Sequence, residues 1–226
     1  VYNGSVILFK EPGSKLKICG VGHVNGGEEK ILSFSLKADG KVIQPEEGQV
    51  IKAKSFELIK VSMLANIKLS SRIAISENGI YDSRSIRSEA EQKLLFFYLY
   101  MYCLSPDTQE WTALLTNGTT MSGVFEGKNA FKLNRDVQWL VQFDPIAGKG
   151  VLLYFATPAK GKNKKNTFWD KKNYHKYYFI LNTPSVLPKG YSIEEKTLIF
   201  KCFDADKKNW RQKINNLIND LKKNKL

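Results

Sequence analysis

The chain has 226 residues, 42% of them apolar and 12% aromatic, and a formal net charge of +13. That length and apolar content suffice for a sizeable core and exclude an intrinsically disordered chain. No run of about 18 apolar residues occurs, so no transmembrane helix is expected.

The charge is concentrated. Residues 160–176 hold seven Lys against Asp170, and residues 206–226 hold six Lys and Arg211 against Asp206 and Asp220. The remaining 21 basic and 19 acidic residues nearly cancel. A near-neutral body with two basic appendages argues against nucleic acid as the partner, which would favour a continuous basic surface. The first residue is Val, which reads as a processed start. A removed signal peptide would place the protein outside the cytoplasm, periplasmic or secreted.

Strand signals dominate from the start. "SVILF" (5–9) is apolar and β-branched. "GVGHVNGGEEK" (20–30) follows as a glycine-rich connection carrying His23, one of only two histidines, with Glu28 and Glu29 just downstream. "KILSFSLKADGKVIQ" reads as a hairpin turning at Asp39-Gly40, because Asp-Gly suits the positive φ of tight turns. "SFELIKVSMLANIKLSSRIAIS" alternates over long stretches, and "SENGIY" is an Asn-Gly turn. "KLLFFYLYMYCL" (93–104) is almost continuously apolar; its Tyr and Phe content and the following Ser105-Pro106-Asp107 favour a buried strand over a helix. Further strands are expected at "WTALLT", "TTMSGVF", "VQWLVQFD", "GVLLYFAT", "YHKYYFIL" and "KTLIFKCF". Near the end, Trp210, Ile214, Leu217, Ile218 and Leu221 fall at helical spacing, with Lys222, Lys223 and Lys225 in the last turn, where cations suit the helix dipole.

About a dozen strands without β-helix-β alternation predict an all-β fold: a large antiparallel β-sandwich over residues 1–204, with a basic amphipathic helix over 205–226 packed on it or extending from it. Three cysteines, Cys19, Cys103 and Cys202, form no C-x-x-C pair. Their odd number argues against a disulfide framework, and the residues suggest no metal or cofactor. Asn3-Gly4-Ser5 and Asn117-Gly118-Thr119 match the glycosylation pattern and also read as turns.

Three clusters carry candidate chemistry. In the first, flanking glycines would let a ligand approach His23, which can donate to a hydroxyl or act as a general acid, while Glu29 accepts. The bland alternative is a turn with an idle histidine. The second, "TFWDKKNYHKYYF" (167–179), gathers Trp169, Asp170, Tyr174, His175, Lys176 and Tyr177. Aromatic rings beside polar groups suit a sugar, which has an apolar face and a hydroxyl rim; ordinary strand aromatics are the alternative. By alternation Tyr174, Lys176 and Tyr178 share one face and His175 and Tyr177 the other. Trp169 and Tyr174 are the best candidates there. The third, "QEWTALL", sets Glu110 beside Trp111. Paired carboxylates for glycoside hydrolysis must face each other across about 5–10 Å, which spacing in sequence does not fix.

"GVGHVNGGEE", the Asp-Gly hairpin, "IKLSSRIAISENGIYDSRSI", the long aromatic strand, "EWTA" and "WLVQFDPIAGKGVLLYF" run in an order that resembles the galactose mutarotase-like supersandwich domains of aldose epimerases, polysaccharide lyases and some glycosidases. The resemblance covers roughly residues 4–203. It implies a carbohydrate role. True mutarotases share two histidines and a late Glu; here His23 is early and His175 late, and Glu194 or Glu195 could supply the late carboxylate. A polysaccharide-recognising or lyase-like relative is therefore implied rather than a mutarotase. As an enzyme it would use His23, Glu110 and His175 as catalytic groups, with Glu29, Trp111, Trp169 and Tyr174 binding carbohydrate, an anionic polysaccharide among the candidates. The alternative is a non-enzymatic module that docks a polyanion through loop 160–176 and tail 206–226.

Overall fold

The structure, a computed structural model, describes residues 2–10, 13–20, 23, 25, 27–156, 166–181 and 183–223. Residues 157–165, with the first six residues of the Lys-rich segment 160–176, and the last three residues lie outside them; the rest of that segment belongs to two strands and the turn between them.

The strands run in chain order as β1 (Tyr2–Phe9), β2 (Lys17–Gly20), β3 (Lys30–Ala38), β4 (Lys41–Ile43), β5 (Phe56–Leu64) and β6 (Ile67–Ser76). Next come β7 (Gly79–Ser88), β8 (Gln92–Lys93), β9 (Phe96–Leu104), β10 (Glu110–Leu115), β11 (Thr120–Val124) and β12 (Lys128–Arg135). The last are β13 (Val137–Asp144), β14 (Lys149–Phe155), β15 (Asn166–Lys171), β16 (Tyr174–Leu181), β17 (Val186–Leu187) and β18 (Ser192–Asp204), followed by helix α1 (Trp210–Lys223). The pairings are antiparallel. The chain is an all-β sandwich with a single helix among the described residues.

It divides into two compact units. The first comprises residues 3–100 and 180–197, the second residues 1–2, 101–179 and 198–226. In the first unit the strand order is β7-β6-β5-β3-β4, with the β1-β2 hairpin as a second layer. The Asp39-Gly40 turn joins β3 to β4 with φ of +47° and +79°, the pair of left-handed residues that a type I′ turn requires. A Glu77-Asn78 turn, followed by Gly79 at φ +123°, joins β6 to β7. One join was not signalled by glycine: β5 turns into β6 at Ala65, with φ of +49°.

The first unit's core, including Ile7, Leu64, Ile67, Leu69, Phe97 and Leu99, also encloses an ion pair. Arg84 grips the Asp82 carboxylate through Nε at 2.8 Å and Nη2 at 2.7 Å, and both side chains are at most 3% exposed. Its Nη1 donates to Ser5 Oγ at 2.8 Å and to the Leu99 carbonyl at 2.7 Å. The Tyr100 ring lies 4.9 Å from the guanidinium. A buried charge is tolerated only when its donors are met in this way.

In the second unit, one layer runs β11-β10-β13-β14-β18 and the other contains β12-β15-β16. The layers meet where Trp111 of β10 packs against Phe168 of β15, ring centres 5.8 Å apart. Gly123, on the neighbouring β11, leaves room for the Trp111 indole: a Cβ there would stand 2.7 Å from the ring. All four tryptophans, Trp111, Trp139, Trp169 and Trp210, belong to this unit. Helix α1 buries Trp210, Ile214, Ile218 and Leu221, the stripe read from the sequence apart from half-buried Leu217. Trp210 stacks on Phe143 at 4.9 Å, so the helix packs on the sheet. Asp206 leads into it, its Oδ1 accepting from the Lys208 and Asn209 amides. Cys19, Cys103 and Cys202 are free thiols.

Candidate functional site

Strand β12 is irregular. Asn129, Leu133 and Asn134 take positive φ, and its register with β15 shifts twice. Such bulges re-aim side chains. Here they leave Phe131 opposite Trp169 on one face, rings stacked at 5.7 Å and 20°. Phe131 is 59% exposed and Trp169 half-buried. The Asn129 carboxamide oxygen accepts from Trp169 Nε1 at 3.0 Å and fixes the indole. Lys171 Nζ sits 4.2 Å from the centre of that indole. The alternation of β15 and β16 brings Tyr174, Lys176 and Tyr178 to the same face, with Lys176 5.4 Å over the Tyr178 ring. Burial pulls the Lys176 ammonium below the ordinary lysine range; Cys103 opposes that shift and Lys171 adds to it. The result is an aromatic surface interleaved with cations.

The opposite face of β15 and β16 is inside. His175 is 3% exposed and Asp170 0%. His175 Nδ1 is 3.1 Å from Thr108 Oγ1, its Nε2 is 3.6 Å from Asp170 Oδ1, and its ring stacks on Phe125 at 3.9 Å. Asp170 accepts from the Glu126 and Gly127 amides at 2.8 and 2.9 Å. Burial lowers the imidazole from the ordinary histidine range, with Asp170 pulling the other way. This cluster pins the β11-β12 connection to the sheet and supports the face bearing Trp169.

Trp111 is also in the core, 4% exposed, and its Nε1 has no hydrogen-bond partner among the described residues. Glu110, at the start of the same strand, lies 3.5 Å from Arg211 of α1. His23 and Glu29 belong to the first unit, whereas Glu110, Trp111, Trp169, Tyr174 and His175 belong to the second. The His23 amide donates to the Gly20 carbonyl at 2.9 Å, closing a tight return after β2. Gly20 takes φ of +140°, and a Cβ there would collide with the Ser5 carbonyl and Val6, so the glycine is a packing requirement. Glu29 accepts from Lys60 Nζ at 2.6 Å and from Ser62 Oγ at 2.7 Å. Among the described residues no group of three or more His, Cys, Asp or Glu could hold a metal ion.

The sequence reading missed Phe131 and Asn129 because β12 lacks strand alternation. They reach the Trp169 cluster by the pairing of β12 with β15, three strands later in the chain.

No protein family model matches the chain, and no curated protein matches its sequence. Solved structures do. The galactosidase domain of the alpha-galactosidase–sucrose kinase AgaSK matches with a TM-score of 0.53 and 8% identity over 89% of this chain and 30% of its own. The GH36 alpha-galactosidase AgaB from Geobacillus stearothermophilus matches with a TM-score of 0.55 and 11% identity over 90% of this chain and 30% of its own. A galactose mutarotase-like protein from Clostridium acetobutylicum aligns at 9% identity over 89% of this chain and 79% of its own, with a TM-score of 0.41. The likeness is one of fold: the chain shares the fold of a part of these α-galactosidases. It spans 30% of the length of the galactosidases it matches.

Proposed function

We propose that this chain is a carbohydrate-recognising domain that acts outside the cytoplasm and binds an anionic polysaccharide on the face carrying Trp169, Phe131, Lys171 and Tyr174. One observation carries the reading: two stacked, solvent-facing aromatic rings with a lysine ammonium 4.2 Å from the indole centre. A flat ring complements the C–H face of a pyranose. An ammonium beside it, with Lys176 on the same face, supplies donors and charge for a carboxylate. Fold matches to α-galactosidases support a carbohydrate setting. His175 and Asp170, closed in beneath, act in this reading as supports rather than as catalytic residues.

The test is binding to immobilised glycans, uronic-acid polymers included, at low and at physiological salt. Trp169→Ala and Lys171→Gln should each weaken binding to uronic-acid polymers, by about tenfold for a loss near 1.4 kcal/mol. Salt should weaken the wild type and leave the Lys171→Gln residual less salt-sensitive. Replacing Lys207, Lys208, Lys222 and Lys223 with Gln should change little. Binding that survives Trp169→Ala but disappears with those four lysines would overturn the proposal in favour of a polyanion surface on the C-terminal helix.

A further inference from the structure

Strand β3 lies next to last in its layer, and the last strand, β4, covers it only in part. β3 runs nine residues, but β4 pairs with it only at Leu36, Lys37 and Ala38. The sequence supplies the reason: Gln44-Pro45 follows β4, and proline has no N–H with which to extend a ladder. β5 holds one edge of residues 30–35. Among the described residues no strand pairs with their other edge.

Open edges are ordinarily blunted by charge, proline or a covering segment. This one is apolar and exposed: Ile31 is 57% exposed, Leu32 49% and Phe34 58%, and no charged residue stands between 31 and 35. A bulge at Leu32, where the register with β5 shifts, is its one irregularity. Leu32 and Phe34 are two apart and so share a face.

The edge is complementary to itself. Ala38 and Lys41 flank the two-residue Asp39-Gly40 turn, which makes them a hydrogen-bonded pair. Alternation then turns the backbone N–H and C=O of Leu36, Phe34 and Leu32 outward. A second copy laid antiparallel about a two-fold axis at Ser33 sets Leu32 opposite Phe34, apolar against apolar, with both residues presenting their outward groups. Ile31 falls opposite Ser35. Lys30 of each copy passes beyond Ser35, to where β4 gives way to Glu46 and Glu47, both exposed. Each basic end therefore meets an acidic turn, and no like charges face each other.

We infer that the open edge of β3 is the interface of a two-fold dimer of this chain, with Ser33 on the axis. About five residues a side is far below the 20–30 of a standard interface, so the dimer is weak, with a dissociation constant between about 1 μM and 1 mM. The interface uses no residue of the Trp169 face, so it stands or falls apart from the anionic-polysaccharide reading.

The experiment is sedimentation equilibrium of the full chain from about 5 to 500 μM, a range over which mass action populates such a dimer. The average mass should rise with concentration from that of a monomer toward twice that value. Leu32→Lys and Phe34→Lys, both at exposed positions, should each weaken association at least about tenfold, and Trp169→Ala should leave it unchanged. Opposed residues of a non-hydrogen-bonded pair have Cα atoms about 4.5 Å apart, within the span of a disulfide. Ser33→Cys in a Cys103→Ser, Cys202→Ser background should therefore link two chains under mild oxidation, while Ser35→Cys in the same background should not. A monomer at every concentration overturns the inference and leaves the edge to an extended strand of another protein. A dimer that both lysine variants leave intact overturns it as well, and so does a Ser33→Cys chain that links no faster than Ser35→Cys. Wild-type circular dichroism in the variants separates loss of the contact from loss of the fold.

Discussion

Replacing Arg84 with Met removes a guanidinium whose Nε, Nη1 and Nη2 all donate inside the first unit. The side-chain volume is roughly kept, so the effect is electrostatic. Asp82, whose side chain is 1% exposed, is left with a carboxylate that water does not reach. Breaking a buried pair by deleting one partner costs about 3–5 kcal/mol, whereas replacing both partners by apolar residues is often neutral. For a chain of this length each kcal/mol lowers the melting temperature by about 2–4 °C. Arg84→Met should therefore unfold at least about 6 °C below wild type, and Arg84→Met with Asp82→Leu should recover most of that. Chemical and thermal unfolding followed by far-ultraviolet circular dichroism measures both. A single variant within about 1 kcal/mol of wild type, or a double variant no better than the single, would refute the reasoning that the pair is a desolvated, mutually dependent unit.

Gly123→Ala should destabilise by about 1–3 kcal/mol, because the new methyl must push back an indole enclosed by the core; a Trp111→Phe background should relieve part of the loss. Tyr177→Phe should cost about 1–3 kcal/mol in a denaturant titration, since it strips the Asn166 carboxamide, fully buried, of the hydroxyl that faces its oxygen. The pH dependence follows from His175. Burial holds its folded pKa below the ordinary value, with Asp170, Thr108 and Asp107 opposing, so the unfolded chain takes up the proton first. Stability should be fully present above about pH 6.5 and should fall by up to about 1.4 kcal/mol per unit as the pH drops below it. His175→Gln should flatten that slope, and an unchanged slope would mean that another group is responsible.

The strands were legible wherever a turn carried its own chemistry. Asp39-Gly40 marks its hairpin because positive φ favours both residues, and at the β6–β7 hairpin Gly79 alone takes positive φ. The helix was legible from five apolar residues at one spacing, four of which are buried. Ala65 was not, since a left-handed alanine is held there by the pairing of β5 with β6 and not by its own preference. The site was legible in part. A period of two puts Trp169 and Lys171 on one face of β15 and Tyr174 and Lys176 on one face of β16, and the hairpin pairing of Lys171 with Tyr174 makes it a common face. Phe131 reaches them only through the bulges of β12, and Glu29 meets Lys60 and Ser62 only through strand pairing. Long-range register of that kind leaves no local trace in the sequence.

The uneven placement of tryptophan has an experimental consequence. Because the first unit contains none, indole emission during unfolding follows the second unit alone, while circular dichroism averages over the whole chain. Arg84→Met thus becomes a measure of cooperativity: the emission midpoint moves with the ellipticity midpoint when the units melt together, and stays at its wild-type value when they melt separately. The protein carries its own spectroscopic label for half of its fold, with no dye attached.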